Sequence, residues 1–437
     1  MCANSSTASE QHRIIQIPQQ YGGGTFQRTT HPDAQWFGEG RLGLFMHWGI
    51  NSCAGDADIS WGMIANTSWD RGLKNRNKIT PAEYYALAKK FYPDNYDPEK
   101  WLAAAKDAGF TYAVLTTKHH DGYTLWPSQF GEMGTRVYMG GRDLVAPYVA
   151  ACRKLGLKVG LYYSPPDFYF NREYMSFGCA SDPEKTGGMN HEPREIPPEP
   201  PEWKEKNAAH IRGQIKELLT WYGKVDLLWF DGGPNVISMD ELRAMQPGMV
   251  IDPRMHGYGD FDTWECGMGS VPPPDWWELC ERWNIGPWGY TYHDETYWPL
   301  RRMLSRFTHT RCWGGNYLLN VAPNRHGELP EVYYRRMGEL KAWMDKNKES
   351  VFGTGRGPFP QQSNLPVTTR QGQNVWYVHV PADFSDAPRI SGAGKPAAVT
   401  MLATGKKLKT SFKAGELTID LPAALRSDNV DVIKIAW

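Results

Sequence analysis

With 437 residues, 41% of them hydrophobic, the chain is long enough for one large domain and a small one. Its 48 basic residues are matched by 48 acidic ones, which removes any electrostatic reason to expect nucleic acid or an anionic membrane surface as partner. No apolar run reaches the roughly 18 residues of a membrane-spanning helix, and seven cysteines without a C-x-x-C pair or Cys/His ligand spacing speak against structural zinc.

The first residues, MCANSSTASEQ, are polar, and residues 1–30 read as a leader. A cysteine at position 2 before a Ser/Thr/Gln stretch resembles a mature bacterial lipoprotein with a replacement start Met, and so points to a secreted or periplasmic protein. An ordinary frayed terminus is the other reading. From Arg41 short apolar strands alternate with longer helical patterns: strands at 42–49, 112–120, 158–164, 226–232, 249–254 and 316–323, with weaker ones near 263–266 and 288–291. Between them, PAEYYALAKKF starts after Thr80 as a capped helix, DPEKWLAAAKDAGF runs from Asp97 to a stop at Gly109, and DLVAPYVAACRKLGL stops the same way at Gly156. EWKEKNAAHIRGQIKELLTWYG (202–223) is the longest helical pattern.

Strand-then-helix units with near-continuous apolar strands predict a parallel sheet covered on both faces. No G-x-G-x-x-G turn follows the first strand, which favours a (β/α)8 TIM barrel over residues 31–350 against a doubly wound sheet. The Pro-rich insert 181–203 is expected to drape over the barrel mouth. After a Gly/Pro-rich stretch the pattern turns short and alternating, so 351–437 reads as a small antiparallel β-sandwich. Nineteen Trp and 22 Tyr offer flat faces for sugar rings, although a Trp-packed core gives the same count.

In such a barrel, functional groups gather at the C-terminal strand ends. Here those ends carry His47, the run Lys118-His119-His120-Asp121, Tyr162-Tyr163-Ser164, Asp231, Asp252-Pro253-Arg254, then Glu265 and Glu278. One hydrogen-bonding or ionisable group per strand end suits a polyhydroxylated ligand. Asp231 could instead cap the next helix, but GGPNVISMD intervenes, and Gly232 and Gly233 are expected to leave room for a ligand. His119 and His120 invite a metal reading. Neighbours on an extended strand face opposite ways, so neutral imidazoles facing hydroxyls are the preferred reading, with no metal and no cofactor. No G-x-S-x-G nucleophile elbow occurs.

At these residues the chain resembles the α-L-fucosidases of glycoside hydrolase family 29. The segments WFGEGRLGLFMHWG, LTTKHHDGYTLWPS, GLYYS, LLWFDGG, GDFDTWE, WELC…GPWGY and GGNYLLNVAPNRHGELP follow one another in that order from Trp36 to Pro330. The resemblance implies a barrel with a C-terminal β-sandwich, no cofactor, and a retaining exo-glycosidase acting on fucosylated oligosaccharides or glycoconjugates. It puts the nucleophile at Asp231 and the acid/base at Glu265, with Glu278 as the rival. Sugar contacts fall on His47, His119, His120, Tyr162, Trp229, Arg254 and Trp288. Near Trp61, where many relatives carry an acidic residue beside a Trp, this chain reads ADISWGM, which leaves that contact and the accepted sugar open.

A retaining mechanism needs the two carboxyl groups about 5–5.5 Å apart, one ionised and one protonated. The methyl of fucose is expected on Trp288 and Trp229. Trp276, Trp283, Tyr292 and Trp298, with the insert, are candidates for the leaving-group side. A glycosidase for a related sugar such as an α-L-galactoside, or a non-catalytic carbohydrate-binding protein on the same scaffold, remain the alternatives.

Overall fold

Strands buried on both faces need a layer on each side, and the chain supplies both. The structure, a computed structural model, describes residues 11–18, 27–39, 42–55, 57–67, 79–179, 183–291, 297–370 and 372–437. Eight parallel strands curl into a barrel: β1 (Leu42–Met46), β2 (Tyr112–Lys118), β3 (Lys158–Tyr163), β4 (Leu227–Phe230), β5 (Val250–Ile251), β6 (Asp262–Glu265), β7 (Trp277–Arg282) and β8 (Asn316–Val321). The lateral order is β5-β4-β3-β2-β1-β8-β7-β6. Between β5 and the residues leading into β6, Asp260 makes the link with both backbone and side chain: its N–H donates to the Ile251 carbonyl at 2.8 Å, and its buried carboxylate accepts from the Ile251 N–H at 2.7 Å and from Arg243 Nη2 at 2.7 Å.

Alternation divides each strand. Phe45, Val114, Tyr162, Leu227, Trp229, Val250 and Leu318 fill the interior, while Leu44, Leu115, Leu161, Leu228 and Leu319 face the helices. A 3-10 turn, Pro32–Glu39, stoppers the bottom, with Trp36 5.5 Å from Tyr112 and Phe37 4.4 Å from Phe261, ring centre to ring centre. The outer layer begins and ends where the sequence signals put it. Thr80 and Glu83 form a capping box on Pro81–Ala86, Asp97 caps Pro98–Asp107, and left-handed Gly156 stops Val145–Leu155.

One strand is displaced from its expectation. Residues 288–291 form a loop, and β7 runs through WELCER instead. Two acids disguise it. Glu278 points into the barrel, where the Tyr112 hydroxyl and Trp229 Nε1 donate to it at 2.5 and 3.1 Å. Glu281 points outward, taking hydrogen bonds from the Tyr317 hydroxyl, Arg302 and Arg306. Each buried carboxylate is satisfied, so the strand tolerates a polar pattern.

After the barrel come β9 (Thr354–Arg356), β10 (Val367–Arg370), β11 (Val375–Val380), β12 (Arg389–Ser391), β13 (Ala398–Met401), β14 (Lys409–Lys413), β15 (Glu416–Asp420) and β16 (Asp431–Ala436). They form antiparallel sheets ordered β13-β16-β11-β10-β9 and β12-β15-β14 around one apolar core. Buried Arg311 joins this unit to the barrel by donating to the carbonyls of Gly315, Val351 and Thr354. The six described cysteines are free thiols, and Cys2 lies outside the described residues. No described helix is long and apolar enough to cross a membrane.

Part of the stretch read as a leader packs on the barrel mouth. Residues 11–14 make one helical turn, and Ile15 and Ile17 are buried in the main core. The Gly233 N–H donates to the Ile15 carbonyl at 2.8 Å. The two glycines after Asp231 therefore make room for the chain itself rather than for a ligand. A Cβ on Gly232, whose φ is +97°, would lie 2.2 Å from the Ile15 oxygen. Gly232→Ala is expected to cost about 1–3 kcal/mol in denaturant unfolding, from left-handed strain and displacement of this segment. Wild-type stability in that variant would remove the steric argument.

Candidate active site

Asp231 follows β4 directly, at the mouth. The helix after it, Met239–Met245, is capped by Ser238 with Glu241, so Asp231 is not a helix cap. Arg254, after β5, reaches it through a fork: Nη1 donates to Asp231 Oδ1 at 2.8 Å and Nη2 donates to Glu265 Oε2 at 2.8 Å. One guanidinium thus holds both predicted carboxylates side by side at the same pocket. Buried Asp252 steadies this end, accepting the Phe230 N–H at 2.7 Å and the Arg254 N–H at 3.4 Å. Arg254 also lies over the Trp229 ring, 4.6 Å from its centre.

The second oxygen of Asp231 is held from behind. The Tyr162 hydroxyl donates to Oδ2 at 2.8 Å, and His120 Nε2 faces it at 3.5 Å. Burial acts to raise the Asp231 pKa, but the Arg254 guanidinium, with the Tyr162 hydroxyl, outweighs it and holds the carboxyl below the ordinary aspartate value. Both Tyr162 and His120 are fully buried and touch Asp231, whereas the pocket itself is lined by His47, His119, Trp61, Trp229, Trp288, Phe45 and Cys280 beside Asp231, Arg254 and Glu265. Glu265 is the more open acid, its side chain 34% exposed against 11% for Asp231.

The imidazoles are neutral near pH 7, since burial lowers His47 and His120 to about 4 and His119 well below its usual value. Their backing groups set which face each shows. The Asn320 amide nitrogen donates to the Trp288 carbonyl, so its oxygen accepts from His47 Nδ1 at 2.7 Å and leaves Nε2 as an acceptor. Ser60 Oγ accepts the Asp121 N–H and pairs with His119 Nδ1 at 2.6 Å, its own proton available to that nitrogen. His120 Nδ1 pairs with Ser164 Oγ. β2 ends at Lys118, so His119 and His120 escape strand alternation, and their rings lie 4.1 Å apart. With Asp231 they offer three ligand atoms within 4.8 Å of one another. The Nδ1 atoms of both histidines and the two oxygens of Asp231 are engaged by Ser60, Ser164, Arg254 and Tyr162.

Trp61 lines the pocket and meets the His120 ring edge-on at 5.1 Å. Trp288 lies 4.8 Å from the His47 ring, and its loop is tied down by Asp58, whose Oδ1 accepts the Trp288 N–H at 2.9 Å. Glu278 is excluded from the pocket. It sits fully buried beneath Trp229, and burial raises it to about 7. The expected leaving-group aromatics also fall elsewhere. Trp276 packs on Phe37 at the barrel bottom, Trp283 is core, Trp298 stacks under Arg302, and Tyr292 lies outside the described residues. Within 183–200 the insert packs beside the mouth, with His191 bonded to the Met63 carbonyl, and lines none of this pocket. Sequence reading missed Phe45, Cys280, Gln11, His12 and Ile15 in the lining and Ser60 and Asn320 behind it, whereas Ser164 stands where the Y-Y-S strand end put it.

The family model described as α-L-fucosidase matches residues 8–349. The chain belongs to that family. Over 449 aligned residues it is 27% identical to the tissue α-L-fucosidase of Bos taurus, covering 93% of this chain and 89% of the bovine one. The α-L-fucosidase of Dictyostelium discoideum is 27% identical over 392 residues, covering 82% and 78%. Among solved structures, α-L-fucosidase isoenzyme 1 from Paenibacillus thiaminolyticus matches with a TM-score of 0.74 at 29% identity, over 93% of this chain and 98% of that one. A family 29 α-L-fucosidase from Bacteroides thetaiotaomicron shares the fold, with a TM-score of 0.76 at 21% identity and 96% and 98% coverage. The motif resemblance of the sequence is thereby established, and the chain is a glycoside hydrolase.

Proposed function

We propose that this protein is an exo-acting, retaining α-L-fucosidase that removes terminal α-L-fucosyl residues from glycans through a covalent glycosyl-enzyme intermediate. The observation that carries the reading is the Arg254 fork, which joins Asp231 and Glu265 at 2.8 Å each. Asp231, kept ionised, attacks the anomeric carbon and forms an ester while the glycosidic C–O bond breaks. Glu265 gives its proton to the departing oxygen, then takes one from the water that cleaves the ester and regenerates the Asp231 carboxylate.

His47 and His119 read ring hydroxyls, and Arg254 and Tyr162 hold Asp231 in its attacking rotamer. Trp61, Trp229, Trp288 and Phe45 close the apolar side on which the sugar methyl rests. Trp229 is itself fixed by its hydrogen bond to Glu278. A site built for hydrogen bonds rejects an analogue that lacks one far more strongly than an apolar wall rejects an added hydroxyl. A panel of aryl glycosides tests the reading. The α-L-fucoside is expected to turn over fastest, the α-L-galactoside within about 10²-fold of it, and D-configured hexosides below detection. Binding of L-fucose without release from any fucoside would replace the enzyme reading by that of a carbohydrate-binding protein, and faster turnover of the galactoside would name the neighbouring sugar instead.

A further inference from the structure

The structure assigns His12 to the leaving-group side of the pocket, as a specificity-determining residue carried there by the segment 11–18. The assignment rests on the α-L-fucosidase reading and extends it to the group on the other side of the scissile bond. His12 lines the pocket together with Asp231, Arg254 and Glu265, flanked by Gln11 and Ile15. The barrel is shaped to receive this segment. The Gly233 N–H holds the Ile15 carbonyl, and Ile15 and Ile17 are buried at 3% and 7% exposure. Side chains on Gly232 or Gly257 would collide with Ile15 or crowd Pro18. Three separate contacts on the loops after β4 and β5 thus fix residues 15–18, and the helical turn 11–14 projects from them over the reacting carboxylates.

Direction follows from what surrounds it. The hydroxyl-reading histidines come from the ends of β1 and β2, across the pocket. The charges that act on His12 are those of Arg254, Glu265 and Asp231, and burial with Arg254 keeps its imidazole below its usual pKa, hence neutral. A neutral imidazole offers one donor and one acceptor to a sugar hydroxyl. In a retaining mechanism the leaving oxygen departs toward the acid. A residue beside the exposed Glu265, on the rim rather than the floor, therefore meets the aglycone before it meets the fucose ring. An exposed acid alone would accept any leaving group, whereas a fixed imidazole beside it favours one that carries a hydroxyl.

The test compares wild type, His12→Ala and His12→Gln in the full chain on two substrates, an aryl α-L-fucoside and an α-L-fucosyl disaccharide. His12→Ala is expected to lower kcat/KM for the disaccharide about tenfold more than for the aryl fucoside, through KM, the size of one lost hydrogen bond. His12→Gln should recover part of the loss. Thermal unfolding should be unmoved, because Ile15 and Ile17 keep the anchor. Equal losses on both substrates, no loss on either, or a gain on both would each overturn the assignment. If wild type itself fails on the aryl fucoside, the α-L-fucosidase reading fails instead.

Discussion

Replacing Asp231 with alanine is expected to lower kcat on an aryl α-L-fucoside by about 10⁴- to 10⁶-fold, the scale seen when a nucleophile that works as part of a unit is removed. The size follows from how much is arranged around one carboxylate. Arg254 and Tyr162 each donate to a different oxygen at 2.8 Å, so the group is held in one rotamer and held charged. Alanine removes the attacking atom but leaves Arg254, Glu265 and the aromatic floor. The vacated space then admits azide, which attacks the anomeric carbon directly from that face. A single displacement inverts, so the product is the β-L-fucosyl azide. Turnover close to wild type, or an azide product with the α configuration, would remove Asp231 from its proposed role. The same surroundings predict the pH behaviour. Because the Asp231 pKa is lowered, the acid limb of kcat/KM should lie below the ordinary aspartate value. The pairing also stabilises the fold above the unfolded value, a contribution lost as pH falls through the lowered one.

The parts of this molecule that were legible in the sequence are those whose signal is local. β1, β2 and β4 are largely apolar runs that end at a polar group, and burial on both faces requires nothing else, so His47, the His119-His120 pair and Asp231 could be located from strand ends alone. β7 was hidden because its two acids are satisfied by Tyr112, Trp229, Tyr317, Arg302 and Arg306, partners from distant parts of the chain. The segment 11–18 was hidden for a related reason. It is held by backbone atoms against glycines more than 200 residues away, and the glycines looked like room for a ligand. Tryptophan content misled in the same way, since Trp276 and Trp283 are large enough to serve a core or a subsite and only packing distinguishes the two. Of the polar groups behind the histidines, Ser164 shows itself as the end of Y-Y-S, while Ser60 and Asn320 carry no signal without coordinates, because serine and asparagine occur everywhere on a surface.

Removing Glu265 should produce a loss that depends on the leaving group, and this separates it from Glu278. With a sugar leaving group, Glu265→Ala is expected to lose about 10²- to 10⁴-fold, since the departing alkoxide then leaves without a proton. With a leaving group as good as fluoride, the first step needs no acid and the loss should nearly vanish, and added azide should trap the ester intermediate as the α-L-fucosyl azide, the product of two displacements. Glu278→Gln should show neither effect. That carboxyl is fully buried between Tyr112 and Trp229 and sits at about 7, so near neutrality it is protonated in much of the population and an amide is a close replacement. Leaving-group dependence in Glu278→Gln, and none in Glu265→Ala, would exchange the two assignments. Arg254→Lys keeps the charge but not the fork: one ammonium cannot hold Asp231 and Glu265 at 2.8 Å each, so kcat on the aryl fucoside is expected to fall without emptying the pocket.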